Sequence, residues 1–230
     1  MKEWHQGTVV ANTRAAAGLH AVHVDVSGTP LVGTHSLPGQ YLTLKIEELG
    51  EGLFAIASGP EADGHTFELL VKEGSPVSDA LIAAKPGLKV WLTAPEGRGF
   101  PVERARGRRV LLFATGSGIS AIRSLIQVML KDRSAWGEVT LYFGARTPGA
   151  FAYAPEFDRW RAHGIKVVLT VSQRAAPGWR GLTGYVQAHL PEERLHDAVA
   201  FVCGQEQMVE DVRRVLRARG MPDENIFQNV

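Results

Sequence analysis

A chain of 230 residues, 45% hydrophobic and with a formal net charge of +1, is sized for one large or two small globular domains and offers no electrostatic case for nucleic acid or an anionic membrane surface. Its single cysteine, Cys203, excludes an internal disulfide and an iron–sulfur cluster held by this chain alone. No apolar run reaches the roughly 20 residues that span a bilayer, and Met1-Lys2-Glu3-Trp4-His5 has no apolar signal core, so a cytoplasmic protein is expected.

In chain order, residues 20–26 alternate apolar and polar, and so do 41–46 after the turn Leu37-Pro38-Gly39-Gln40. Residues 53–57 are a short apolar run stopped by Ser58-Gly59-Pro60, and 66–71 and 88–93 are further strand candidates. Short strands at this spacing predict a sandwich or barrel. One helix interrupts them over 77–84, capped near Ser78 and ended by Lys85-Pro86-Gly87. The basic stretch Glu103-Arg104-Ala105-Arg106-Gly107-Arg108-Arg109 reads as a solvated connector. Beyond it strands (110–113, 139–143, 166–171, 198–203, 226–228) alternate with helices (120–131, 154–163, one near 185–189, 206–219). Continuous apolar strands alternating with amphipathic helices predict a doubly wound parallel sheet. The expected division is an antiparallel β-barrel over residues 1–104 and an α/β domain over 105–230. The eight histidines are scattered without metal-ligand spacing, so no metal site is expected.

The strand over 110–113 runs into Thr115-Gly116-Ser117-Gly118-Ile119-Ser120. Gly116 and Gly118 permit backbone angles and a close approach that a side chain would block. The helix beginning near Ile119 turns unpaired N–H groups and a positive dipole end toward an anion. The order Gly-x-Gly-x-x-Ala is that of a dinucleotide turn. Ligands of such sheets sit at the carboxyl ends of the strands. Those ends read Thr115-Gly116-Ser117-Gly118, Gly144-Ala145-Arg146-Thr147, Ser172-Gln173-Arg174 and Cys203-Gly204-Gln205-Glu206. Glycines, small hydroxyls and arginines suit a phosphorylated ligand. Thr183-Gly184-Tyr185 reads as loop-shaping.

These motifs together resemble the ferredoxin–NADP reductase superfamily over nearly the whole chain. Pro38-Gly39-Gln40-Tyr41 is similar to the turn and strand before its flavin motif. Ala94-Pro95-Glu96-Gly97-Arg98-Gly99-Phe100 is similar to its barrel-closing Gly-Pro-x-Gly-x-Phe. Thr115 to Ser120 with Arg123-Ser124 resembles its Gly-Thr-Gly-Ile-Ala-Pro and Arg-Ser, and Leu141-Tyr142-Phe143-Gly144-Ala145-Arg146 its second nucleotide strand. Cys203-Gly204 with Met208 resembles its Cys-Gly-Pro-x-x-Met, with Gln205 replacing proline.

The resemblance implies FAD in the barrel, NADP or NAD on the sheet, and hydride transfer between them. It implies a flavin strand of Phe54, Ala55, Ile56 and Ala57. A second flavin segment would hold Val71, Lys72, Gly74, Val77 and Ser78. Thr115, Gly116, Ser117, Gly118 and Ile119 would hold the nucleotide pyrophosphate. Cys203, the one catalytic candidate, Gly204 and Met208 would lie beside the nicotinamide. Arg146, Ser172 and Arg174 would meet the ribose end. The strand ending at Gly144-Ala145-Arg146-Thr147 has no acid at its tip, which favours NADP.

The flavin motif departs from the family's Arg-x-Tyr-Ser: Gly52, Phe54 and Ala55 stand in those places. A hydrogen bond to a charged group contributes about 1.5–3 kcal/mol. Loss of the arginine is therefore expected to weaken FAD roughly 10- to 100-fold. Asp79 adds an unhelpful charge in the second segment, and Arg98 is a candidate substitute cation. The function implied is hydride transfer from NAD(P)H to FAD and electron transfer on to an acceptor. Two further readings stand beside it. One is a nucleotide- or partner-binding module that has lost its flavin. The other is an electron-delivering subunit whose iron–sulfur or haem acceptor is a separate protein. No nucleic acid or membrane partner is expected.

Overall fold

The computed structural model describes residues 2–60, 64–173 and 177–229. Six strands form the first sheet: β1 (His5–Ala16), β2 (Leu19–Asp25), β3 (Tyr41–Ile46), β4 (Gly50–Ala55), β5 (Thr66–Lys72) and β6 (Lys89–Leu92). They pair antiparallel in the order β4-β3-β6-β1-β2-β5. Just past β4, Ile56 bridges to Leu69 of β5, and the Ala57 N–H donates to the Glu68 carbonyl at 2.7 Å. The two edge strands therefore meet, and the sheet closes into a barrel with few unpaired backbone groups at its edges.

Inward side chains such as Val9, Val22, Leu42, Leu44, Phe67 and Leu69 fill the barrel. Helix α1 (Pro76–Ala83) adds Val77 and Leu81 to the same core. Its cap is Ser75 rather than a residue near Ser78: the Ser75 Oγ accepts from the Ser78 N–H at 3.2 Å, with Pro76 opening the helix. At the other end, the Asn12 side-chain amide donates to the carbonyls of Leu81, Ile82 and Ala84 at 2.9–3.0 Å.

Strand β1, at 12 residues, lies outside the sequence expectation. Its register against β2 shifts between Val9 and Ala11, which breaks the two-residue period, and inward-facing Gly7 has no side chain to signal burial.

The second sheet is wholly parallel, in the order β10-β9-β8-β7-β11-β12. Its strands are β7 (Val110–Thr115), β8 (Val139–Ala145), β9 (Ile165–Val171), β10 (Leu182–Thr183), β11 (Val199–Cys203) and β12 (Ile226–Gln228). Helices α2 (Ile119–Lys131) and α3 (Phe157–Ala162) cover one face. Helix α4 (Glu206–Ala218) covers the other, burying Met208, Val209, Val212 and Leu216 at helical spacing. The chain runs outward from β7 to β10, then returns to β7's free side as β11. The strand order therefore reverses between β7 and β11.

Three expectations are corrected. The helix over 154–163 is a 3-10 turn at Ala154–Glu156 followed by α3, and the helix near 185–189 is the 3-10 turn Val186–His189. The stretch 103–109 is exposed at Glu103, Arg104, Arg106 and Gly107, but it is anchored rather than a free connector. Ala105 is buried, Arg106 bridges to Trp136, and the Arg108 guanidinium donates to the carbonyls of Asp197 and Ala198 and to the Asn225 side chain.

The barrel and the sheet share a core. Leu19, Ala57, Leu70 and Phe100 belong to the apolar cluster that includes β7 and α2, and Phe100 meets Phe201 edge-on at 5.2 Å. A buried charge crosses the same junction. Arg123 of α2 donates to Glu68 of β5 at 2.8 Å and to Glu156 at 2.7 Å. Burial acts to raise the Glu68 carboxyl, but bonding to His23 and the Arg123 charge outweigh it and hold it below its usual value. Among the described residues, no helix is long and apolar enough to cross a membrane.

His35 is 5% exposed, with its ring edge-on to Phe67, and burial pushes its imidazole down to about 4. Folded His35 is neutral where an unfolded histidine of pKa ~6.5 takes up a proton. Stability is therefore complete above pH ~6.5 and falls by about 3 kcal/mol as pH drops to ~4. His35→Gln is expected to flatten the urea midpoint across that window. An unchanged slope would show that the folded protein carries this imidazole protonated.

Candidate nucleotide and flavin cleft

The carboxyl ends of the parallel strands face the barrel across a cleft of about 1250 Å³. Ordinary small-ligand pockets span roughly 300–1,000 Å³, so this cleft has room for the reacting ends of two ligands.

The sheet wall is built by two turns. After β7, Gly116 takes a left-handed backbone (φ +55°), and a 3-10 turn over Gly116–Gly118 leads into α2. No side chain caps α2, so its positive end is left for an anion. After β11, Cys203 and Gly204 lie directly against this turn. A Cβ on Gly118 would overlap the Cys203 carbonyl, and one on Gly204 would overlap the Thr115 hydroxyl. That hydroxyl accepts the Gln205 N–H at 3.2 Å, tying the turns together.

Of the residues singled out from sequence, Thr115, Gly116, Ser117, Gly118, Arg146, Ser172, Cys203, Gly204 and Met208 line the sheet wall. Phe54, Ala55, Lys72 and Ser78 line the barrel wall. Ile56, Ala57, Val71, Val77 and Ile119 have side chains buried in the two cores, which leaves only their backbone groups for a ligand. Gly74 lies in the loop before α1, outside the lining, and Arg174 lies outside the described residues.

Gln173, at a strand end already singled out, lines the cleft too; sequence reasoning passed over Thr170, Gln187 and Asp211, which also line it, as does Tyr185, 67% exposed. Thr170 carried a signal, since it stands two residues before the flagged Ser172 at the end of β9. Its hydroxyl is buried without a hydrogen-bond partner. Asp211 is brought in by the Gln187 side-chain amide, which donates to it at 3.1 Å. Among the described residues, no cluster of three His, Cys, Asp or Glu could hold a metal.

Residues 112–214 match the family model for the oxidoreductase NAD-binding domain. Ferredoxin–NADP reductase B of Sorangium cellulosum is 31% identical, over 82% of this chain and 82% of its own. The fruit protein pKIWI502 of Actinidia deliciosa is 34% identical, over 93% of this chain and 72% of its own. The chain belongs to the ferredoxin–NADP reductase family. A ferredoxin–NADP⁺ reductase from Neisseria gonorrhoeae with bound FAD and NADP shares the fold at a TM-score of 0.80 and 18% identity, covering 99% of this chain and 98% of that one. As a member of the ferredoxin–NADP reductase family, the protein is an oxidoreductase of the FAD- and NAD(P)-binding class.

Against that family's pattern, the two ends of the barrel wall differ. Leu53, Phe54 and Ala55 of β4 give this wall an apolar stretch that suits a ring system. The phosphate end lacks its grip. At Gly52 a Cβ would stand 3.0 Å from the Phe54 ring, and there is no cation. The Asp79 carboxylate accepts the Gly74 N–H at 3.0 Å, and Ser75 takes the Ser78 N–H, so these donors are already satisfied. Arg98 is not a substitute, because its loop does not line the cleft; among the described residues the lining cations are Lys72 and Arg146. The lining residues fit a flavin ring, and position 52 offers no cation to its pyrophosphate.

Cys203 is pushed up to about 12 by burial, with the Asn229 side chain bonded to it. It presents a neutral thiol, neither nucleophile nor base. At pH 8, alkylation of the native chain is expected to run more than about a hundredfold slower than in urea. Rapid native labelling would reveal a thiolate in the cleft.

Proposed function

We propose that this protein passes hydride from NADPH to a flavin seated on Phe54 and Ala55, and sends the electrons on to a separate acceptor. One observation carries the reading: the uncapped start of α2 and the apolar flavin strand are opposite walls of a single cleft. When bound, the flavin supplies the hydride acceptor. The chain supplies position. The N–H groups at Gly116 to Gly118 orient a pyrophosphate, and Arg146 with Ser172 meets a ribose phosphate. Gly204, lacking a side chain, leaves space for the nicotinamide, and Cys203 borders it without a charge. Ala55 offers no hydroxyl to the flavin, so a proton needed on reoxidation would be supplied slowly or by water. An iron–sulfur acceptor would lie outside these 230 residues, because one cysteine cannot carry a cluster.

A second reading, a nucleotide-binding module without flavin, is favoured by the Asp79 carboxylate on Gly74 and by Gly52. Flavin titration followed by absorbance and fluorescence, then NADPH and NADH oxidation with a dye acceptor, separates the two. The expected result is reversible flavin binding and oxidation that favours NADPH. No flavin binding and no oxidation would leave the module reading. If Arg146 meets the 2′-phosphate, Arg146→Ala lowers the preference for NADPH over NADH roughly 10- to 100-fold. An unchanged ratio of kcat/KM values removes that role.

A further inference from the structure

We propose that Arg123 is the positioning residue that sets the depth of the nucleotide wall of the cleft over the flavin wall. This rests on the hydride-transfer reading for its consequence, but its geometry stands apart from it.

One face of α2 bonds three consecutive residues of the barrel. Arg123 Nη1 donates to the Ala57 carbonyl at 2.9 Å, Ser124 Oγ donates to the Ser58 carbonyl at 2.8 Å, and Gln127 Oε1 accepts the Gly59 N–H at 2.5 Å. Residues 57–59 continue directly from Phe54 and Ala55, through the Ile56–Leu69 bridge that closes the barrel. Helix α2 in turn begins at the glycine turn. One short helix segment thus carries the anion-binding end and the docking rungs together.

Both lever arms are short. From Gly118 to Arg123 is about 7.5 Å of helix, and from Ala55 to Ala57 is about 7 Å of strand. Little compliance lies between the rungs and the two cleft walls. Hydride transfer needs its reacting atoms roughly 3–3.5 Å apart, and a misplacement of about 1 Å costs on the order of 10²-fold.

Arg123 does more than close a gap. It is 9% exposed, and its fork reaches Ala57 and Glu68 on the barrel and Glu156 on the sheet side. Its guanidinium lies 4.3 Å from the centre of the Tyr153 ring. Tyr153 adopts φ +60°, a left-handed backbone uncommon for an aromatic residue. Only a planar cation with several donors serves three oxygens and a ring face at once; a lysine serves fewer. A merely adhesive interface would not call for a residue held from so many directions.

The test compares Arg123→Met, Arg123→Lys and Gln127→Ala with the wild type in the full chain loaded with flavin. Single-turnover bleaching of the flavin by saturating NADPH is measured beside KM for NADPH and Tm. Arg123→Met is expected to slow bleaching roughly 10- to 100-fold, with KM changed less than about threefold because no nucleotide contact is removed. Arg123→Lys recovers part of the rate. Gln127→Ala, which leaves the buried ion cluster intact, slows bleaching by a smaller factor and covers the case in which Arg123→Met fails to fold. Full rates in folded variants, or losses that follow KM and Tm rather than bleaching, overturn the proposal.

Amide exchange is read on the same proteins without flavin. Exchange at Gly59 and in the first turns of α2 is expected to rise about tenfold in the variants, while β2 and β8 keep their protection. A wild type that never bleaches defeats the hydride-transfer reading alone, and exchange then decides the clamp: unchanged protection at Gly59 overturns it.

Discussion

The cleft depends on two turns lying closer together than side chains allow. At the switch point of the parallel sheet, Gly118 sits against the Cys203 carbonyl and Gly204 against the Thr115 hydroxyl, so both positions must lack a Cβ. This contact brings the start of α2 to the mouth of β11 and leaves its N–H groups turned outward with no capping side chain. A bulkier residue at either position would separate the turns and shift the start of α2. Glycine costs helix and strand stability elsewhere, and here the cost is offset by a backbone surface that accepts a charged ligand.

A different kind of constraint fixes the barrel against the sheet. Much of the junction is apolar, through Phe100, Phe201, Leu19 and Leu70, and apolar contact is non-directional. The Arg123 cluster is directional, because a buried charge is tolerable only with its partners in place. Stripping one partner from such a cluster costs about 3–5 kcal/mol, so the two halves have one docking pose rather than a range of them. The cluster joins Glu68, which borders the barrel-closing bridge, to Glu156, which precedes α3. The closure of the barrel and its orientation are thus set at the same place.

The sheet domain was legible because its strands are buried on both faces and read as continuous apolar runs, and because its glycine turn has a local signature. The features that were not legible depend on distant partners. Strand β1 is disguised by its register shift. The basic stretch 103–109 looks like a free connector until Arg108 is seen bonded to residues about ninety positions later. Arg123 and Ser124 could be read as part of a family motif, but nothing local shows that they bond Ala57 and Ser58. Asp79 was visible as an awkward charge; that its carboxylate takes up the Gly74 N–H is a matter of side-chain conformation. Tyr185 looked like loop structure and stands in the cleft, since position alone does not say which way an exposed ring leans.

Gly52 and Phe54 are two departures from the family pattern, and the structure makes them one. The Phe54 ring lies close beside the place of a first side-chain carbon at 52, with Cε2 at 3.0 Å and Cζ at 3.2 Å, so a side chain there asks the ring to give by a few tenths of an ångström. The ring is also packed in the barrel core with Val77 and Leu81 of α1, a helix that Asn12 pins at its far end. An arginine at 52 therefore presses on a ring already packed in the barrel core. The missing phosphate grip and the seating of α1 thus bear on one side chain, and a change at 52 made for the cofactor is felt in the barrel core.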